Sequence, residues 1–326
     1  MEDAKLKVSL IILVLVLAGF FLLSPAASSP SEKMRVGWQP IAPHILTFIA
    51  FEKGFFKEEG LDVELVKFGS ANQLLDALAA GQIDGAGTSN LGVLFSAEAR
   101  SPGHFKLFGL TYFTNETAEW SLLAGKNSAI FQLKELEGKK LGLWPGSFTK
   151  TILTLALKKS VDVSKIQFVE VPAELQLQTL DSGQVDALFT LEPYNLLAIE
   201  KNIATELWKT PQSVVLEPMP VNGPIVSNRL VAERTETARK FIRAIQSAID
   251  FKRSNPLEAK EILLKYANLD ASITAKLSNA PIKKFSELTD QDFSQTQAFA
   301  DLLASEGVLT KRINVSKMIL TPGEIT

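Results

Sequence analysis

The chain has 326 residues, of which 46% are hydrophobic and 21% charged, an ordinary globular balance with room for two modest domains. Its formal net charge of -2 leaves no basic field to recruit nucleic acid or an anionic membrane surface. The lack of cysteine excludes disulfides, thiolate metal sites, a Cys nucleophile and a lipid-modified cysteine, and two histidines, His44 and His104, offer little to a His-based metal site.

Lys5 and Lys7 precede an unbroken apolar run from Leu10 to Leu23, followed by small residues from Ser24 to Ser29. This is the pattern of a secretory signal peptide over residues 1–27, with Ser24-x-Ala26 as the cut. A retained anchor competes, because Val8 to Ala27 is long enough to span a bilayer. Either way the body is exported, periplasmic or otherwise extracytoplasmic, behind a polar tether over 28–33.

From Met34 short apolar strands alternate with amphipathic helices. Arg35 to Trp38 reads as a strand, Ile45 to Phe51 as a helix stopping near Gly54, and Leu61 to Val66 as a strand. Ser70 is placed to cap a helix that turns Leu74, Leu75 and Leu78 to one side and stops at Gly81. Gln82 to Gly87 reads as a strand, and Thr88-Ser89-Asn90 as the cap of the next helix. The style then repeats: strand Lys140–Trp144, a helix opening at Ser147, strand Ile166–Val171, helix Glu174–Leu180 and strand Asp186–Thr190. After Ser227 the pattern turns helical, over 236–253, 256–267 and 289–306. Alternation of this kind predicts α/β architecture with largely parallel sheets and extra C-terminal helices.

Leu78-Ala79-Ala80-Gly81-Gln82-Ile83-Asp84-Gly85 is echoed about 100 residues later by Leu180-Asp181-Ser182-Gly183-Gln184-Val185-Asp186-Ala187. That spacing is far too long for a solenoid repeat. Helix-Gly-strand joints look alike in any α/β protein, but Gly, Gln and Asp held in register point to two lobes of similar build. Such lobes form a cleft at the carboxyl ends of their strands.

Gly37-Trp38-Gln39-Pro40, then Phe48-x-Ala50-x-Glu52-Lys53-Gly54-Phe55-Phe56, then Glu59-Gly60-Leu61-Asp62-Val63 resemble the start of a family of ABC-importer solute-binding proteins. The two Gly-Gln-x-Asp strings, Leu133-x-x-Leu136-x-Gly138-Lys139-Lys140-Leu141-Gly142 and Glu192-Pro193-Tyr194 resemble it too. The family covers carriers of sulfonates, nitrate, taurine and thiamine-pyrimidine precursors, and the likeness runs from Met34 to about Ala267. It implies a two-lobed periplasmic binding protein-like fold of type II with two crossover strands, placed near Leu107–Tyr112 and Asn222–Ser227. The lobes would be residues 34–110 plus 226–326, and 111–225. It implies a monomer that hands a small-molecule solute to an ABC permease, with no cofactor.

Four loops should then face the cleft. They are Trp38-Gln39-Pro40 with His44, Gly69-Ser70-Ala71-Asn72, Thr88-Ser89-Asn90, and Gly146-Ser147-Phe148-Thr149, with Trp144 at the strand end just before Pro145-Gly146. The last three open helices, whose free N–H groups attract anionic or polar ligand atoms. Each residue also has a plainer role. Ser70, Thr88 and Ser147 could only cap helices, Trp38, Trp120 and Trp144 could be core aromatics, and His44 could lie on the surface or cap a helix. Glu192, with Tyr194 beside it, either favours a helix N-terminus electrostatically or faces the cleft to bind an amine. These loops hold no Arg, and Lys150 lies just past the fourth, so a zwitterionic, heteroaromatic or partly apolar solute is expected over a simple oxyanion.

Two other functions compete. The resembled family shares its fold with an enzyme of thiamine-pyrimidine synthesis, which uses a cysteine-rich iron segment absent here. No nucleophile elbow, H-E-x-x-H or P-loop occurs, so the expectation is a non-enzyme. A membrane-anchored sensor of the same fold, with no permease, is the second.

Overall fold

The computed structural model describes residues 31–117, 119–267 and 271–325. The leader, with its choice between signal peptide and anchor, lies outside them. Among the described residues no helix is long and apolar enough to cross a membrane.

β1 (Glu32–Trp38) leads through α1 (Ile45–Glu52) and α2 (Phe55–Glu58) to β2 (Leu61–Lys67). β1 starts two residues ahead of Met34, because Glu32 pairs with Leu61 in the ladder and its carboxylate is held by Lys240 and Thr237. α3 (Ala71–Ala79), β3 (Gly85–Asn90), α4 (Leu91–Arg100), β4 (Phe105–Leu107) and β5 (Gly109–Phe113) follow. A second set comprises β6 (Trp120–Gly125), β7 (Lys140–Leu143), α5 (Ser147–Leu157), β8 (Gln167–Glu170), α6 (Ala173–Asp181), β9 (Ala187–Leu191), α7 (Tyr194–Glu200) and β10 (Ala204–Lys209). The chain then returns through β11 (Met219–Ser227) to α8 (Asn228–Glu233), α9 (Thr235–Ser254), α10 (Pro256–Ala267), β12 (Ile282–Lys284) and α11 (Asp290–Ser305).

The strands form two sheets, in the orders β12-β5-β11-β3-β1-β2 and β10-β6-β9-β7-β8, with β4 also paired to β11. Each contains one parallel trio, β2-β1-β3 and β8-β7-β9, where strands and helices alternate. The other ladders are antiparallel, so the sheets are mixed rather than largely parallel. A parallel pair needs a crossover helix. The strands that carry the chain between the sheets, β5 into β6 and β10 into β11, have no α-helix between them and enter antiparallel. The segments expected as crossovers lie in β4, β5 and β11, which are neighbours in the larger sheet.

The echoed strings are one backbone device built twice. Gly81 and Gly183 end α3 and α6 in the left-handed region, with φ of 70° and 72°, which glycine enters without a Cβ penalty. Each aspartate then pins the central strand of its trio. Asp84 accepts the Arg35 N–H and Asp186 the Lys140 N–H, both at 2.8 Å, while their own N–H groups return to the same residues' carbonyls. Gln82 and Gln184 donate their N–H groups back to the helix, to Ala77 and Thr179. The joint fixes where β3 and β9 begin, and so where their carboxyl ends come to rest.

Three apolar clusters hold the body. One lies between α1, α9, α10 and the larger sheet, around Phe48, Phe241 and Ile245. A small one backs the smaller sheet at Leu123, Val185 and Leu188. The largest is continuous from Leu74 and Phe95 through Phe148 and Trp120 to Phe189, crossing from one sheet to the other. The C-terminal helices belong to this frame: α9 buries Phe241, Ile245 and Ile249 against α1, and Phe299 of α11 meets Phe95 edge-on with centroids 6.0 Å apart.

Candidate functional site

The carboxyl ends of β1, β3, β7 and β9 converge on a cavity of about 60 Å³. One water needs about 10–15 Å³, so the cavity has room for more than a single solvent molecule. Gln39 arrives from the end of β1, His44 from the short 3-10 turn Ala42–His44, and Thr88, Ser89 and Asn90 from the end of β3. Across from them stand Trp144, Gly146 and Phe148, from the end of β7 and the first turn of α5. Trp120, Phe189 and Asn222 complete the wall from β6, β9 and β11. Every lining residue carries an uncharged side chain, His44 included: its complete burial draws the imidazole pKa down to about 3.

Polar groups this deep are normally hydrogen-bonded. Here Gln39 Nε2, His44 Nδ1, Thr88 Oγ1 and Ser89 Oγ, all on residues no more than 3% exposed, have no partner among the described residues. An unsatisfied buried group costs roughly 1–3 kcal/mol, so four around one cavity represent a large local expense. The opposite wall is aromatic: Trp120 meets Phe148 and Phe189 edge-on at 5.9 and 5.5 Å. The site therefore offers hydrogen bonds from one side and flat apolar surface from the other.

The two sides touch closely. A Cβ on Gly92, in the first turn of α4, would lie 2.0 Å from the Phe148 ring, so the absent side chain is what lets α4 and α5 approach. At the edge Lys67 pairs with Glu174 at 3.3 Å, both side chains about half exposed.

Twelve of the residues singled out in the sequence line this cavity: Gln39, His44, Ala71, Asn72, Thr88, Ser89, Asn90, Trp144, Pro145, Gly146, Phe148 and Thr149. Ser147 opens α5 between two of them. The others lie elsewhere. Trp38 packs edge-on against Phe48 and Tyr266 at 5.2 and 6.3 Å, inside the larger sheet's own cluster. Ser70 caps α3, accepting the Gln73 N–H at 3.3 Å. Glu192 and Tyr194 sit behind the cavity wall, where the Ala42 N–H donates to the Glu192 carbonyl at 3.2 Å and the Tyr194 hydroxyl to the Pro40 carbonyl at 3.3 Å. They hold the loop that carries Gln39 and His44. Thr88 and Ser89 do not cap a helix: β11 extends the ladder to Ser89 and Asn90, and Asn90 is the cap, accepting the Val93 N–H at 3.2 Å. Trp120, weighed in the sequence against a plain core role, lines the cavity as well, and Phe189 and Asn222, which lie on expected strands but carry no cleft signal of their own, reach it from β9 and β11.

The family model described as "NMT1/THI5 like" matches residues 42–259, about two thirds of the chain. The chain belongs to this family. A putative aliphatic sulfonates-binding protein of Bacillus subtilis is 24% identical over 327 residues, covering 96% of this chain and 95% of that one. A 4-amino-5-hydroxymethyl-2-methylpyrimidine phosphate synthase of Saccharomyces cerevisiae is 23% identical over 235 residues, 69% of this chain and 67% of its own. Among solved structures, the alkanesulfonate-binding protein of Xanthomonas axonopodis bound to MOPS superposes with a TM-score of 0.73 at 18% identity, over 90% of this chain and 99% of that one. That likeness shows the fold, a two-lobed periplasmic binding protein architecture. The relatives and structural neighbours thus include both binding proteins and enzymes, with binding proteins the more numerous among those compared.

Proposed function

We propose that this protein is the extracytoplasmic solute-binding component of an ABC importer, closing two lobes on a small organic solute that it passes to a membrane permease. The lobes would be residues 34–110 with 226–326, and 111–225. One observation carries the proposal: four buried polar atoms without partners surround an uncharged cavity between two sheets. A solute touching both sides satisfies those atoms only when the lobes are together, and that differential affinity drives closure.

The lining favours a solute that is flat on one side, hydrogen-bonding on the other and free of unpaired charge. Aliphatic sulfonates, as in the Bacillus relative's name, and a pyrimidine, as in the yeast relative's product, are the two classes to separate. The aromatic wall and neutral His44 support the second. Hydrogen-bonding and aromatic groups suit capture rather than turnover, so we read the protein as a carrier and not an enzyme. Native mass spectrometry of the purified protein should reveal a co-purifying organic molecule. A thermal-shift panel should then show stabilisation by a hydroxymethyl-aminopyrimidine. Stabilisation by nitrate or sulfate alone would refute this assignment of the solute, and chemical change of the bound molecule would refute the carrier.

A further inference from the structure

Behind the cavity wall, four segments bring three buried ionisable side chains together. Glu119 lies in the stretch joining β5 to β6, which carries the chain from one sheet to the other. Glu192 follows β9 of the smaller sheet, and Lys252 lies on α9 against the larger one. All three are less than a tenth exposed. The Glu192 N–H donates to the Glu119 carbonyl at 2.8 Å, so the two carboxyls travel together. The larger lobe holds them. Ser278 donates its N–H to Glu192 Oε2 at 2.8 Å, and Ala42 donates to the Glu192 carbonyl. Lys252 Nζ donates to the Ala280 carbonyl at 2.8 Å. Glu119 and Lys252 line one small cavity of about 20 Å³, room for about one water. Glu119 Oε2 has no hydrogen-bond partner among the described residues.

Charge decides what this cluster does. Two carboxylates and one ammonium leave an excess negative charge, and a buried uncompensated charge is strongly penalised. Lys209, Lys260 and Arg253 also bear on the cluster, from β10, α10 and α9, without lying in it. Taking up one proton removes the excess. We propose that Glu119, Glu192 and Lys252 form a proton-binding site at the junction of the lobes, filled when the lobes are together and emptied when they part.

Burial, with the Glu192 carboxylate beside it, pushes the Glu119 carboxyl up to about 8. Burial also raises Glu192, against the Ser278 N–H that favours its charged form. A carboxyl raised in the joined arrangement keeps a proton there that it loses when the lobes part. The junction is therefore strongest below the ordinary carboxylate range and weakens as pH rises towards about 8. Lys252 is drawn down by burial, to about 8, so its own deprotonation favours the junction and opposes the carboxyls only at the upper edge of this window.

The proposal rests on the closing of two lobes advanced above, and it can be tested without the solute. A compact chain of this length has a radius of gyration near 20 Å, within roughly an ångström. Small-angle scattering of the purified, solute-free protein should show that radius rising by about 1 Å between about pH 5.5 and about pH 8.5, with unchanged far-UV circular dichroism. Glu119→Gln, which keeps the neutral shape, should stay compact across the range, and Glu192→Gln should blunt the rise. A wild-type radius independent of pH, or variants that follow the wild type, would overturn the proposal. So would a rise accompanied by lost helix signal. If the radius fails to move but a pyrimidine still raises the melting temperature, solute capture stands and the proton site falls.

Discussion

Thr88 and Thr190 hold the same place in the two lobes, each four residues after the aspartate of its Gly-Gln-x-Asp joint. Both are buried at the carboxyl end of a strand, and both line the cavity. Their hydroxyls have opposite fates. Thr190 Oγ1 donates to Gln176 Oε1, whose amide in turn donates to the Val171 carbonyl at 3.1 Å. Among the described residues Thr88 Oγ1 has no partner, nor does its neighbour Ser89 Oγ. One lobe presents a finished wall and the other an unfinished one. The pairing of a satisfied surface with an unsatisfied one is what a site needs if the solute is to complete it. Two equivalent lobes would both be inert or both be costly.

Changes at and around these positions can break or sharpen the contrast. Gly92→Ala should have the largest effect, because the new Cβ would meet the Phe148 ring and hold the lobes apart. Overpacking costs about 1–3 kcal/mol. Charged to the closed form alone, that weakens solute binding by roughly 10- to 100-fold with little change in solute-free melting. Calorimetric titration with the co-purifying solute checks it, and unchanged affinity would show that the lobes do not close on this contact. Thr190→Val should come next, destabilising by about 2 kcal/mol in urea unfolding because Gln176, fully buried, loses its donor. Thr88→Val should do the reverse, leaving stability equal or up to about 1 kcal/mol higher while solute affinity falls about tenfold. If both valine variants lose stability alike, the asymmetry between the walls is wrong. Asp84→Ala should cost about 2 kcal/mol and Asp186→Ala about 1, since Asp84 is buried and also meets Arg229 at 3.6 Å, while Asp186 is half-buried and, among the described residues, its carboxylate makes only the equivalent backbone bond. Lys67→Ala should change least, by a few tenths of a kcal/mol at most, because its pair with Glu174 is exposed and screened.

The joints were legible because their causes are local. A glycine is needed where the chain turns left-handed after a helix, and an aspartate immediately before its strand, so the spacing survives in both copies. The helices with one apolar face, α3, α9 and α11, were legible for the same reason, as was the placing of the cleft at strand ends. β6, β10 and β12 were not: the first is a nearly continuous apolar run, and the other two are edge strands whose roles come from distant partners. Thr88 and Ser89 were taken for a helix cap because β11, more than 130 residues later, supplies the ladder that keeps them extended. Trp38 beside Gln39 looked like a ligand contact, yet successive strand residues point to opposite faces, and Trp38 went to the core. Which buried atoms lack partners is a property of the assembled cavity and could not be seen in the residue string.

The large apolar cluster that crosses from one sheet to the other gives solute supply a second meaning. When the lobes separate, Trp120, Phe148 and Phe189 lose part of their cover and water reaches an aromatic surface that is interior in the closed protein. The empty carrier is then the adhesive and protease-sensitive one, and the loaded carrier the durable one. How much of the protein persists would follow how much solute there is to carry.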